Sequence, residues 1–196
     1  MYSNHELQNV ISGQAVGDSF PYNTNDETEI EAHIRRLYHY INHMPHIVCE
    51  AEWNHFGSGY SSYVEFYCYS RKDVTVVQQK DNHRVEEREG IIIAVCRLAP
   101  VAIMGADDRY RMIHSVTNEE VGRGYGSLLD GPDRLYVGEE LQNTAEKLKA
   151  ALQIFGFELM DAKSMGAPLP FQTIIPTIYR KPGEYLYMDA LFYWED

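Results

Sequence analysis

Ser62-Tyr63-Val64-Glu65-Phe66-Tyr67-Cys68-Tyr69-Ser70 and Ile91-Ile92-Ile93-Ala94-Val95-Cys96 are the two stretches on which the fold turns. In the first, Val64, Phe66 and Cys68 alternate with Tyr63, Glu65, Tyr67 and Tyr69, the period of a strand with two unlike faces. The second is apolar throughout, as suits a central strand covered on both sides. Ile47–Trp53 repeats the alternation, so it pairs with Ser62–Ser70 as an antiparallel hairpin whose long loop holds Gly57, Ser58 and Gly59. Val74–Gln79 reads as a further strand and Lys80–Glu89 as a charged turn. Pro100 limits what Val101–Met104 can pair with, because proline has no N–H to donate. At the end of the chain, alternation over Tyr185–Trp194 predicts a last strand.

Two helices flank these strands. Ile30, Ile34, Leu37, Ile41 and Met44 fall on one helical face, with Thr24 or Asn25 as the cap, acids in the first turn and Pro45 as the stop. Leu141, Ala145, Leu148, Leu152 and Phe155 form the apolar face of the second, which ends at Gly156. Phe157–Met160 is expected as a short strand and the proline-bearing 162–183 as extended loop. Residues 1–23 are polar and aperiodic and read as a loosely ordered segment with a short helix around Glu6 to Ile11. The chain of 196 residues has the length of one domain. The class is α+β: a largely antiparallel sheet with two main helices packed on it, in a single domain.

Composition narrows the function. Seventeen Lys+Arg against 29 Asp+Glu give a net charge of −12, which repels nucleic acid and anionic membrane. The apolar run 91–106 is too short and too interrupted to span a bilayer, and the first residues lack a secretory pattern. Cys49, Cys68 and Cys96 lie in strand-like runs without metal spacing, as buried thiols of a cytoplasmic protein would.

Several clusters carry side chains capable of chemistry. His39 and His43 stand four apart on the first helix, with His33, His46 and His55 near them, but the face is the solvated one and no metal site is assigned. Gly122, Gly124 and Gly126 match neither a P-loop nor a dinucleotide fingerprint, and read as a surface loop within 115–137 that uses positive φ. Asp107-Asp108 reads as a turn and Glu86–Glu89 as a solvated charge run, since neighbours on an extended chain point to opposite faces. His114-Ser115 sets up no nucleophile, so no catalytic residue and no cofactor are assigned.

What stands out is 15 tyrosines. Tyr63, Glu65, Tyr67 and Tyr69 share one strand face, and tyrosine suits recognition surfaces. The expectation is an acidic, non-catalytic protein-binding domain that masks a basic partner, immunity- or inhibitor-like in character, with those four residues as the contact. The alternative is a small-molecule enzyme with its site around the glycine-rich 115–137 loop and Asp107/Asp108. Oligomeric state leaves no mark on the sequence.

Overall fold

The computed structural model describes residues 1–54 and 59–195; His55, Gly57 and Ser58 lie outside the described residues. The molecule is a single α+β domain. Strands β1 (Ile47–Glu52), β3 (Tyr63–Lys80), β4 (His83–Cys96), β5 (Val101–His114) and β6 (Glu120–Gly124) form an antiparallel sheet in the order β1-β3-β4-β5-β6. A short β7 (Glu158–Leu159) adds to β5 in parallel. Outside this sheet, β2 (Tyr60–Ser61) pairs with β8 (Trp194–Glu195).

The alternation in β3 assigns the two faces. Val64, Phe66 and Cys68, with Ile91, Ile93 and Val95 of β4, lie under α2 (Glu27–Asn42) and α3 (Gln142–Ile154). The helices contribute Ile34, Leu37 and Ile41 from α2 and Leu148, Ala151 and Leu152 from α3, all fully buried. The opposite face, with Tyr63, Tyr67, Ile92, Ala94 and Ile103, is covered by α1 (Asn4–Ile11), by Met165 of a short α4 (Ala162–Met165) and by α5 (Tyr187–Leu191) with the residues after it. The central strand is therefore apolar on both sides because both sides are covered.

Five expectations need correction. Residues 80–89 are strand, not turn: β3 runs to Lys80 and β4 starts at His83, with Asp81 and Asn82 between them at φ 51° and 62°. Two left-handed residues match the twist of a tight hairpin. Asp107-Asp108 is likewise mid-strand, because β5 continues to His114.

Tyr185–Trp194 is not one strand. Asp189 accepts a hydrogen bond from the Leu186 N–H at 2.7 Å and α5 follows. Every residue of α5 is buried, so alternation there carried no information about faces. The N-terminal segment is built into the core: Ser3 and Glu6 form a capping box, Leu7 and Val10 are fully buried, and the Val16 N–H donates to the Leu98 carbonyl at 2.8 Å. The first main helix is capped by Asp26, whose carboxylate accepts from Thr28 and Glu29, while Asn25 turns the chain at φ 52°. No helix among the described residues is long and apolar enough to cross a membrane.

Candidate functional site

The four residues expected at a partner contact are under cover. Tyr67 is 1% exposed, and Tyr63 and Tyr69 are also buried. Tyr67 donates to the Arg88 carbonyl at 2.6 Å, and Tyr69 donates to Glu50 at 3.1 Å. Buried tyrosine needs such partners, and burial pushes the Tyr63 and Tyr67 hydroxyls well above their ordinary range. Glu65 accepts from Arg109 at 2.7 Å, and burial raises its carboxyl against the pull of that cation. This face is a core with polar tips, not an open aromatic and acidic patch.

Asp107 is engaged in the same network. It pairs with Arg109 at 3.1 Å and with Arg134 at 3.4 Å, and accepts the Gly126 N–H at 3.2 Å. A Cβ at Gly126 would meet the Asp107 Oδ1 at 2.5 Å, so this glycine serves close approach. None of Gly122, Gly124 and Gly126 has the positive φ expected of that loop. Asp108, next in the strand, points to the opposite face, which separates the two carboxylates.

The histidines do not converge either. His33 donates to the Phe155 carbonyl at 2.8 Å, tying α2 to the end of α3, and His43 donates to the His39 carbonyl at 2.6 Å. Among the described residues, no group of three His, Cys, Asp or Glu side chains is placed to hold a metal. All three thiols are buried, and burial pushes that of Cys96 up to about 12.

Charge is distributed unevenly between the faces. Arg36 and Arg71 aside, each arginine in the sequence makes an ion pair inside the protein. Arg88, Arg109 and Arg111 lie on the face that carries Tyr67. The other face of the same strand segments carries Glu87, Glu89 and Asp108 beside Tyr110 and Met112, where Glu87 opposes Tyr110, Glu89 opposes Asp108 and Val85 opposes Met112. Glu87 and Asp108 make no ion pair among the described residues, and Tyr110 is 48% exposed. A depression of about 610 Å³ opens here, lined by Lys72, Thr75, Arg88 and the three carboxylates.

The bare edge beside this surface has a sequence cause. Gly124 lies opposite Tyr110 and Gly122 opposite Met112, so the edge strand adds no side chain there. A Cβ at Gly124 would sit 2.0 Å from the Tyr110 ring, which therefore rests on bare backbone. Glu87, Asp108 and Tyr110 were missed as a group because Pro100 and Gly105 argued for ending β5 early. The alternation of Asp108, Tyr110 and Met112 with Asp107, Arg109 and Arg111 was the available signal.

Comparison with known proteins gives no lead: no family model, curated protein or solved structure matches this chain.

Proposed function

We propose that this chain is a non-catalytic protein-binding domain that masks a basic partner, and that its contact surface is the outer half of the sheet around Glu87, Asp108 and Tyr110. The observation that carries the reading is the pairing of unneutralised carboxylates with a half-exposed aromatic ring on an uncovered sheet face. Carboxylates speed encounter with a cationic surface, and an aromatic ring held against glycine supplies contact area with little entropy to lose. A net charge of −12, with the arginines largely consumed in internal pairs, favours the same class of partner. Three buried free thiols support a reducing compartment such as the cytoplasm.

The enzyme alternative gains nothing at the place expected for it. Asp107 is committed to two arginines and an amide.

The test is affinity capture from the native host's lysate, run in parallel with the wild type and a Glu87→Lys/Asp108→Lys variant, at low and high salt. The expected result is a stoichiometric basic protein, released as salt rises and held at least about tenfold less by the variant. Equal retention by the variant, or no basic protein retained at all, overturns the reading.

A further inference from the structure

The face opposite the proposed contact surface holds an arrangement that the masking of a basic protein does not use. The cleft of about 50 Å³ there is lined by Arg88, Arg109, Arg111 and Arg123, with Glu50 and Glu120 as the carboxylates among its walls. Two carboxylates share the lining with these four guanidinium groups, and Glu65, Asp107 and Glu86 pair with them from outside it. Sheet register assembles it: Arg88 stands opposite Arg109, and Arg111 opposite Arg123. Like charges facing across a strand pair repel, so both juxtapositions are costly unless anions offset them.

Internal carboxylates offset that cost, but they hold each guanidinium by one edge and leave other N–H groups unmet. Arg109 gives Nε to Asp107 and Nη2 to Glu65, while Arg111 gives Nε to Glu86. Arg123 gives Nε to Glu120, and Arg88 gives Nη1 to Glu50 and to the Tyr69 hydroxyl. Arg109 Nη1 and both terminal nitrogens of Arg111 and Arg123 carry no hydrogen bond among the described residues. Arg88 is 5% exposed, and its Nε is buried with no partner. A buried guanidinium N–H without an acceptor is costly, and the groups left over are all donors.

We propose that this cleft binds a phosphate group, either as inorganic phosphate or as the terminal group of a phosphate monoester. Guanidinium forks suit phosphate oxygens, and forks already fixed by carboxylates lose little freedom on binding. Glu50 and Glu120 oppose the anion, but each is directly paired, with Arg88 at 2.6 Å and with Arg123 at 2.6 Å. Tyr125 also lines the cleft and offers a ring to the organic part of an ester.

The experiment is thermal unfolding and titration calorimetry of the whole chain with sodium phosphate, against sodium chloride at matched ionic strength. Phosphate is expected to raise Tm above the chloride control and to bind at one equivalent. An Arg111→Gln/Arg123→Gln variant, altered at partly exposed positions, should lose affinity by about tenfold or more. Phenyl phosphate serves as the ester probe: tighter binding than inorganic phosphate points to an ester, and equal or weaker binding points to the free ion. No phosphate response beyond the chloride control overturns the proposal, and so does an undiminished response in a variant whose circular dichroism is native. This outcome is separate from that of the capture experiment, which tests the other face.

Discussion

The guanidinium carbon of Arg109 lies 4.1 Å from the centroid of the Tyr67 ring. Tyr125 approaches the same cation at 5.5 Å, and Glu65 and Asp107 bind its nitrogens. One arginine thus converts what reads in sequence as a tyrosine-rich contact strip into a closed internal network.

Removing that cation leaves Glu65 and Asp107 buried without their main partner. Arg109→Ala is expected to lower stability by about 3–5 kcal/mol, the range for breaking a buried pair from one side. Urea unfolding measures it, and a loss below about 1 kcal/mol would mean the network does not hold this face together.

Glu86 gives the pH dependence. Burial works against its ionisation, but hydrogen bonds from Arg84 and Arg111, both at 2.9 Å, outweigh it and hold its pKa below the ordinary value. A carboxylate with a lowered pKa in the fold contributes stability that is fully present above its unfolded pKa of about 4.3 and is lost as pH falls through the folded pKa. The stability gap between wild type and Glu86→Gln should therefore be constant from pH 6 to 8 (roughly the neutral plateau) and close below the unfolded pKa. A gap unchanged in acid would show that the carboxylate's charge is not what the arginines hold.

Glycine substitutions separate close approach from open space. A Cβ at Gly105 would sit 2.0 Å from the Arg134 carbonyl oxygen and 2.8 Å from Leu128, whereas one at Gly122 meets its nearest atom at 3.9 Å. Gly105→Ala must displace backbone and is expected to cost about 1–3 kcal/mol, with Gly122→Ala close to neutral. Equal Tm values for the two variants would contradict this placement of the 131–135 segment against β5.

The thiols make a third kind of check. Cys49 and Cys68 face each other across β1 and β3 with their sulfurs 3.4 Å apart, while the Cys96 thiol donates to the Leu191 carbonyl. The Cys49 contact and burial raise the Cys68 pKa, so the native protein should react slowly with a thiol reagent and fully once denatured. With hydrogen peroxide as oxidant, the bond that forms in the folded state should join Cys49 and Cys68, each peroxide yielding two waters. Peptide mapping that found Cys96 in the native-state disulfide would refute the register.

The strand alternation of 62–70, the apolar run at 91–96 and the 3.6-residue stripes of α2 and α3 were all legible, because local periodicity follows directly from burial on one side. The outer half of the sheet was not. Glu86 and Arg88 are buried while Val85 is half-buried and Glu87 exposed, so the two buried positions are both charged. No hydropathy argument ranks Glu86 as inside, since its burial depends on Arg84 and Arg111 arriving from two strands. The loop glycines were legible as glycines, but close approach to Asp107 and Tyr110 is a fact about distant side chains.

By itself, then, the sequence determined the class of the fold, the strands and helices of the inner half and the acidity. Tertiary structure decided which tyrosines are covered, which carboxylates keep their charge uncompensated and where arginines gather. Periodicity records whether a residue has an inside to face, and that is a local property of the chain. Which charge meets which is settled by cross-strand register and by segments such as α5 closing over a face, and neither is written in the spacing of neighbouring residues.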